Sequence, residues 1–207
     1  MSAQYDPAER ERAVFVCAHG AGGNMNDRGV VSVARVLSSA GLGVVRFNFP
    51  YREKRSSRPD PMPRLQECFA AVVERVRSEL SPDVLLIGGR SMGGRAASML
   101  AAEGFVANGL LLLAYPLHPP GRQEKLRAAH LSSISMPVLC FNGTRDTFCE
   151  PELLTGVLAG VKTDWTMHWL EGADHGFHVL RKSGRTDSDV LAEVASTTAN
   201  WLTRVSN

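Results

Sequence analysis

The sequence lacks the features that mark several classes of protein. Its four cysteines, Cys17, Cys68, Cys140 and Cys149, fit no zinc-binding spacing. Two of them lie within the apolar runs FVCA and VLCF, so we expect buried thiols in a reducing compartment. No apolar run approaches the roughly 20 residues of a transmembrane helix, and the N-terminus is charged where a signal peptide is apolar. These absences predict a soluble, cytoplasmic protein with no membrane partner.

The chain also lacks an excess of charge of either sign. Its 207 residues include 23 Lys and Arg and 21 Asp and Glu, which gives a formal net charge of +2. Because proteins that bind nucleic acids usually carry a clear basic excess, we expect no nucleic-acid partner. The hydrophobic content of 44% suffices for one well-filled core. We therefore expect a single domain over residues 1–207, present as a monomer or a homodimer.

Short apolar runs alternate with stretches of helical periodicity along the whole chain. Six strands are predicted, over residues 13–18, 43–49, 83–89, 109–115, 137–143 and 164–170. Helices are predicted after the first and second strands, over 187–205, and from Ser91, near Gln123 and near Pro151. This alternation is typical of an α/β fold in which helices cover both faces of a mainly parallel sheet. The expected architecture is a three-layer αβα sandwich.

Four glycines surround one hydroxyl in GGRSMGGR, residues 88–95, directly after the third predicted strand. In a sharp turn from strand to helix, the central residue is strained, and the residues two before and two after approach other backbone closely. Gly89 and Gly93 occupy those positions around Ser91. The pattern therefore predicts a nucleophile elbow that exposes Ser91 at the carboxyl edge of the sheet. A serine that only caps the following helix is the alternative.

A serine hydroxyl becomes a useful nucleophile only when a base accepts its proton. His175 follows the sixth predicted strand, at the same sheet edge, and His178 is the alternative in the more apolar GFHVL. Asp146 follows the fifth strand, whereas Asp174 is adjacent to His175, and consecutive side chains usually diverge. We therefore predict a triad of Ser91, His175 and Asp146, in which the acid orients the imidazole. This chemistry needs no metal and no organic cofactor.

The tetrahedral intermediate of acyl transfer needs backbone donors for its negative oxygen. The glycine-rich loop HGAGGNMND, residues 19–27, follows the first strand and is suited to provide one. The N–H of Ala21 is the first choice, with Gly22 as the alternative and as a candidate for substrate contact, and the N–H of Met92 is the second donor. The loop lacks the G-x-G-x-x-G pattern of dinucleotide sites, which makes nucleotide binding the weaker interpretation.

Several polar residues are candidates for contact with the substrate. Arg90 beside the nucleophile, with Arg52, Lys54 and Arg55, would make the cleft electropositive and attract a carboxylate or phosphate; a solvated charge cluster is the alternative. His118 is a candidate for lining the pocket, with a turn residue held by prolines as the alternative. The loop that contains it is too short for a helical cap, so we expect an open site that takes small or extended substrates.

The segments HGAGG, FNFPY, GGRSMGGR, YPLHPPG, NGTRD and GADHGF occur in an order that resembles the alpha/beta-hydrolase superfamily. Within it, the chain is similar to small lidless proteins such as the testis-expressed and KANSL-like hydrolases and the dienelactone hydrolases, from about residue 13 to residue 201. The resemblance implies the same triad and oxyanion hole. It also implies six parallel strands in the spatial order 2-1-3-4-5-6, without the two antiparallel strands that begin the superfamily fold, and no cap domain. Dienelactone hydrolases use cysteine as the nucleophile, so their substrate is not carried over.

Two functions remain open at this point. The first is a serine hydrolase that cleaves a small-molecule carboxylic ester or thioester through an acyl-enzyme. The second is a protein-interaction module that has the hydrolase fold and little or no catalytic activity. Dehalogenase or epoxide hydrolase chemistry would require a carboxylate nucleophile, and the serine at position 91 argues against both.

Overall fold

Seven strands form the central sheet of the computed structural model, which describes residues 2–205. The strands are β1 (Ala3–Asp6), β2 (Ala13–Ala18), β3 (Leu42–Phe47), β4 (Leu85–Arg90), β5 (Gly109–Leu113), β6 (Val138–Gly143) and β7 (Trp165–Leu170). They lie in the order β1-β3-β2-β4-β5-β6-β7; β1 pairs antiparallel with β3, and the other neighbours are parallel. All six predicted strands are confirmed, within two residues of their expected bounds and in the expected spatial order.

Helices cover both faces of this sheet. They are α1 (Arg28–Ser39), α2 (Pro50–Glu53), α3 (Met62–Leu80), α4 (Met92–Ala102), α5 (Pro151–Leu158) and α6 (Asp187–Val205). The buried residues of α1 and α6 form one apolar cluster with the sheet, and those of α3, α4 and α5 form the other. The three-layer αβα architecture is thus confirmed. None of the helices within residues 2–205 combines the length and apolar character that crossing a membrane requires.

The strand β2 shows why the strands appear in the sequence as continuous apolar runs. All six of its residues are buried, because helices pack on both faces of the sheet. Val14 and Val16 belong to the cluster with α3 and α4, whereas Phe15 and Cys17 belong to the cluster with α1 and α6. Alternate side chains of one strand therefore fill both layers, and the strand ends are held firmly where the functional loops begin.

The antiparallel strand β1 was not expected. The resemblance implied that both antiparallel strands at the start of the fold are missing, but Ala3–Asp6 pairs with β3 over four residues. Its side chains are mostly exposed, so it leaves little apolar pattern in the sequence. A long-range ion pair stabilises it instead: Nε of Arg46 lies 2.6 Å and Nη2 lies 3.1 Å from the carboxylate oxygens of Asp6. The guanidinium of Arg46 is only 3% exposed.

The prediction of a helix near Gln123 was wrong. The fully described connection from β5 to β6 contains turns and one short 3₁₀ helix, Leu131–Ser133. Most residues from 119 to 127 are exposed, and Leu126 is itself 43% exposed, so this segment has no apolar face to bury. Burial of such a face is what stabilises most short helices in proteins. The absence of a helix in this connection agrees with the expected lack of a cap domain.

Candidate active site

Ser91 lies at the bend between β4 and α4. Its backbone angles are φ 50° and ψ −117°, a conformation that a residue other than glycine rarely adopts. The amide of Ser91 donates a hydrogen bond to the carbonyl of Leu113 at 2.9 Å, and its carbonyl accepts one from the amide of Arg95 at 3.0 Å. Backbone contacts on both sides therefore hold the strained bend and project the hydroxyl away from the sheet.

The two glycines that flank this bend are required by close backbone contacts. A Cβ atom at Gly93 would lie 2.6 Å from the carbonyl oxygens of both Ala18 and His19. A Cβ atom at Gly89 would collide with the backbone of Ala18, and the φ of Gly89 is 142°. The predicted steric need for glycine at these two positions thus matches the structure.

The structure brings together the three residues of the predicted triad. Nε2 of His175 lies 2.8 Å from Oγ of Ser91, and Nδ1 of His175 lies 2.8 Å from Oδ2 of Asp146. A carboxylate only accepts hydrogen bonds, so the imidazole proton resides on Nδ1. The lone pair of Nε2 therefore faces the hydroxyl of Ser91. The side chain of His175 is 23% exposed and that of Asp146 is fully buried, so the imidazole separates the acid from solvent.

Three hydrogen-bond donors surround the carboxylate of Asp146. Besides His175, the amide of Phe148 donates to Oδ1 at 2.8 Å, and Nδ2 of Asn142 donates to Oδ2 at 3.1 Å. The side chain of Asn142 is fixed in turn, because it exchanges hydrogen bonds with the amide and carbonyl of Tyr115. Sequence analysis missed Asn142; its signal was a polar residue within the otherwise apolar run of β6.

The two alternative residues for the triad lie elsewhere. Oδ1 of Asp174 accepts hydrogen bonds from the amides of Gly176 and His178, at 2.7 and 3.1 Å, and so stabilises the turn that contains His175. The side chain of His178 is more than half exposed, and its Nδ1 lies 3.0 Å from the carboxylate of Asp187. Neither residue contacts Ser91, so the geometry favours the first choices.

Backbone hydrogen bonds join the loop of the acid to the loop of the histidine. The amide of Thr144 donates to the carbonyl of Leu170 at 3.1 Å, and the amide of Arg145 donates to the carbonyl of Ala173 at 2.9 Å. The rings of Phe148 and His175 also pack together, with their centroids 4.3 Å apart. These contacts hold the imidazole between the carboxylate and the serine.

His19 organises the glycine-rich loop after β2. It is buried, its Nδ1 donates to the carbonyl of Gly20 at 2.8 Å, and its Nε2 accepts from the amide of Phe49 at 3.2 Å. Burial lowers the pKa of His19, which favours the neutral imidazole that this pair of hydrogen bonds requires. Sequence analysis assigned no role to His19, although it is the first residue of the HGAGG motif.

The amides of Ala21 and Met92 are candidates for an oxyanion hole. Within residues 2–205, neither amide has a hydrogen-bond acceptor. Burial raises the pKa of Tyr51, and Arg52 and the backbone of Gly22 partly oppose that rise. Ala21 and Gly22 both line the cleft beside Ser91, so both amides of the glycine-rich loop stay candidates for the donor.

An open cleft of about 580 Å³ lies beside Ser91. Its walls include Ala21 and Gly22 from the glycine-rich loop, together with Arg90, Phe148 and His175. No group of three or more His, Cys, Asp or Glu side chains within the described part of the chain is arranged to hold a metal ion.

Some of the residues predicted to contact the substrate line the cleft, and others do not. Arg90 lines the cleft, and its Nη2 donates to the carbonyl of His175 at 2.7 Å. His118 is only 1% exposed and lies outside the described lining of the cleft; its Nδ1 contacts the carbonyl of Pro119 at 2.9 Å. The basic residues of the loop after β3 also lie outside that lining. Of the expected contacts, the geometry therefore retains Gly22 and Arg90.

Comparison with known proteins extends these observations. Residues 11–203 match the family of the alpha/beta hydrolase domain. A serine hydrolase without a lid from Xanthomonas campestris has a similar structure, with a TM-score of 0.76 and 24% identity over 96% of this chain and 88% of that one. A serine hydrolase homologue from Coxiella burnetii has a TM-score of 0.75 and 21% identity, over 96% of this chain and 89% of that one. A dienelactone hydrolase from Anabaena variabilis has a TM-score of 0.75 and 18% identity, over 98% of this chain and 90% of that one. At these identities, what the structures share with this chain is the fold.

Proposed function

The chain belongs to the alpha/beta hydrolase domain family, and we propose that it is a serine hydrolase that cleaves carboxylic esters or thioesters. The main support is the continuous set of hydrogen bonds from Ser91 through His175 to Asp146 at the wall of an open cleft. The similar folds of the serine hydrolase from Xanthomonas campestris and the serine hydrolase homologue from Coxiella burnetii agree with this class of reaction. Under this proposal, Ser91 is the nucleophile, His175 the general base and Asp146 the acid that orients it.

The first half of the proposed reaction forms an acyl-enzyme. Oγ of Ser91 attacks the acyl carbon of the substrate while Nε2 of His175 takes the hydroxyl proton. The carbonyl oxygen becomes negative and accepts hydrogen bonds from the amides of Ala21 and Met92. When this intermediate collapses, the bond from the acyl carbon to the alcohol oxygen or thiol sulfur breaks. His175 gives its proton to that leaving group.

The second half of the reaction releases the acid. A water molecule attacks the acyl carbon, and His175 takes one of its protons. The bond to Oγ of Ser91 then breaks, the proton returns to Oγ, and the carboxylic acid leaves. In both halves Asp146 stays ionised and stabilises the imidazolium that forms at His175. The chemistry needs no group beyond these side chains, the two amides and water.

Covalent labelling tests the proposal directly. We expect a fluorophosphonate probe to label the wild-type chain on Ser91, as located by peptide mass spectrometry, and we expect turnover of a short-chain p-nitrophenyl ester. Ser91→Ala should abolish the labelling and lower kcat/KM for the ester by about 10⁴-fold or more. Ser98→Ala is the matched control, because Ser98 also hydrogen-bonds to a histidine but lies inside α4.

Two results would contradict the proposal. Ester hydrolysis that persists at the wild-type rate in Ser91→Ala would place the chemistry elsewhere. A wild-type chain that is neither labelled nor active toward a panel of esters and thioesters would favour the alternative, a protein-interaction module with the hydrolase fold.

We also propose that the protein acts in the cytoplasm. Cys17, Cys140 and Cys149 are buried thiols, a state typical of proteins from reducing compartments. Burial raises the pKa of Cys17 to about 12, which keeps this thiol protonated and unreactive.

A further inference from the structure

A second cavity adjoins the cleft that contains Ser91. It has a volume of about 490 Å³ and lies between α1, α6 and the loop of His175. Gly29, Arg90 and Gly176 line both cavities, so the two are neighbours. Arg28 and Arg35 also line the second cavity, which we call the arginine pocket. Of the three arginines, Arg90 alone also lines the cleft of Ser91, and Arg28 and Arg35 lie beyond it in the arginine pocket.

Arg90 is held in the wall between the two cavities. Its Cζ lies 5.4 Å from the ring centroid of Phe177, and Nη2 donates to the carbonyl of His175 at 2.7 Å. On the opposite side, Gly29 leaves room for the guanidinium, since a Cβ atom there would lie 2.9 Å from Nη1 of Arg90. A guanidinium has five N–H donors, and within residues 2–205 the one acceptor for Arg90 is that carbonyl. The guanidinium of Arg90 is thus held in one position, and most of its N–H donors are available to a ligand.

The arginine pocket has more positive than negative charge. Within residues 2–205, no carboxylate lies within ion-pair distance of Arg28, Arg35 or Arg90. Asp187 is a carboxylate in its lining, but the Asp187 oxygens already accept from the amide of Val179 and contact Nδ1 of His178, all at 3.0 Å. Asp187 also interacts with Arg28 at longer range, so the lining has three cations and one carboxylate. Arg28 and Arg35 are exposed to solvent, and Arg90 is the desolvated cation of the three.

Burial makes an anion at this place favourable. It lowers the pKa of Arg90, because a desolvated guanidinium is destabilised, and the nearby Asp174, Asp146 and Asp27 oppose only part of this effect. A ligand carboxylate would supply the missing charge and would match the planar geometry of arginine with two parallel hydrogen bonds. Arg28 and Arg35 are seven residues apart on α1, two helical turns, so they project from the same side of the helix toward the cavity.

We propose that the arginine pocket binds a carboxylate of the substrate, so that the preferred esters or thioesters carry this anionic group in addition to the scissile bond. This inference rests on the proposed hydrolase function and names the class of its substrate. Arg28 and Arg35 supply charge from α1, and Arg90 connects the pocket to the reacting centre.

Matched esters measure the expected preference. Mono-p-nitrophenyl adipate and p-nitrophenyl hexanoate have acyl chains of equal length, which end in a carboxylate and a methyl group respectively. We expect kcat/KM to be at least about tenfold higher for the adipate ester, a ratio that corresponds to one good charge-assisted contact. A second pair, (4-acetoxyphenyl)acetate and 4-ethylphenyl acetate, places the carboxylate or the methyl group on the alcohol part of the ester instead. A preference in the second pair alone would locate the carboxylate on the alcohol side.

Variants on α1 test whether the arginines cause the preference. Arg28→Gln and Arg35→Gln should each lower the ratio of anionic to neutral ester about threefold or more, and the double variant should bring it close to one. Hydrolysis of the neutral ester should stay within about threefold of wild type, because neither residue belongs to the catalytic machinery. Arg75→Gln is the matched control, an exposed arginine of α3 distant from the cleft, and it should change neither rate.

A binding measurement keeps this inference separate from the proposed function. Monomethyl adipate should bind to the Ser91→Ala chain in titration calorimetry, and binding should weaken about tenfold when Arg28 and Arg35 are both replaced by Gln. Equal hydrolysis of anionic and neutral esters in both pairs, or an unchanged preference in the double variant, would overturn the carboxylate site. If the wild-type chain hydrolysed none of these esters but monomethyl adipate still bound in a way that depends on Arg28 and Arg35, the proposed hydrolase function would be wrong and the carboxylate site would stand.

Discussion

The molecule contains two serine–histidine pairs whose hydrogen bonds have the same length. Oγ of Ser91 lies 2.8 Å from Nε2 of His175, and Oγ of Ser98 lies 2.8 Å from Nε2 of His130. Both serines belong to the same element, since Ser91 is the N-cap of α4 and Ser98 lies in its middle. The length of the hydrogen bond therefore does not distinguish a nucleophile from a structural serine.

The two pairs differ in the direction of the shared hydrogen bond. The hydroxyl of Ser98 donates to the carbonyl of Arg95 at 2.8 Å, so Nε2 of His130 must supply the proton between them. At Ser91 the direction is reversed, because Asp146 holds the imidazole proton of His175 on Nδ1. The hydroxyl of Ser91 then donates to the lone pair of Nε2. Only this second arrangement allows the imidazole to act as a base.

The surroundings of the two histidines enforce this difference. Within the described chain, no carboxylate hydrogen-bonds to Nδ1 of His130. Burial and the nearby charge of Arg95 lower the pKa of His130 to about 4. Ser98 is buried inside α4, whereas Ser91 lines an open cleft. A carboxylate on the far nitrogen, a strained bend and access for substrate thus separate the candidate site from the structural pair.

The largest effect should follow from giving His175 the proton arrangement of His130. Asp146→Asn removes the negative charge that stabilises the imidazolium, and its NH₂ group must replace either Oδ1, which accepts from the amide of Phe148, or Oδ2, which accepts from His175 and Asn142. With the NH₂ group toward His175, the imidazole proton moves to Nε2, where it donates to Ser91; with the amide oxygen toward His175, the imidazolium still lacks its counter-charge. We expect kcat for a p-nitrophenyl ester to fall by about 10⁴-fold while the far-ultraviolet circular dichroism stays unchanged.

Asp174→Asn is the control for this variant. The oxygen of the new side chain can still accept the two turn amides, so we expect kcat to change less than about tenfold. If Asp146→Asn retained more than about a tenth of the wild-type kcat, the carboxylate would not direct the imidazole.

The second contrast concerns the backbone, a strained bend at Ser91 against a regular helix at Ser98. Gly93→Ala would place a Cβ atom 2.6 Å from two carbonyl oxygens, neither of which can move without shifting the loop after β2. We expect the free energy of unfolding to fall by about 2–4 kcal/mol in urea denaturation, since overpacking against backbone is poorly relieved. The activity should fall with it, because the same loop carries the amide of Ala21.

Gly156→Ala provides a matched control in α5. A Cβ atom there would meet no other atom within 4 Å, so alanine should stabilise the helix by about 0.5–1 kcal/mol. A Gly93→Ala chain as stable as wild type would show that the bend tolerates a side chain after all.

The sequence could predict the sheet and the first contacts of the candidate site because their signals are local. Buried strands appear as apolar runs, and the carboxyl ends of parallel strands meet at one edge, which brings the segments of Ser91, Asp146 and His175 together. The strand β1 left no such signal. It depends on the ion pair between Asp6 and Arg46, residues that are separated by 40 positions and pair only in the folded chain.

The supporting residues were hidden for a similar reason. Asn142 and His19 act through backbone groups of Tyr115, Gly20 and Phe49, and their spacing in the sequence does not reveal these partners. The basic residues beside Arg90 also differ from the predicted ones, Arg52, Lys54 and Arg55 of the basic loop. They come from α1, because only the folded arrangement of α1 against the loop of His175 closes that cavity.

The third contrast concerns the acid stability of the structural pair. An unfolded histidine has a pKa near 6.5, whereas the pKa of His130 in the folded chain is about 4. Between these two values the unfolded chain binds a proton that the folded chain does not, so acidification from pH 6.5 to pH 4 lowers the free energy of unfolding. Above pH 6.5 the histidine is neutral in both states and has no effect. His130→Gln should therefore lose less stability than wild type between pH 7 and pH 4.5 in urea denaturation, since the titrating carboxylates are common to both chains. Parallel pH profiles would instead mean that His130 takes up its proton as readily in the folded chain as in the unfolded one, and the contrast with His175 would then reduce to the carboxylate alone.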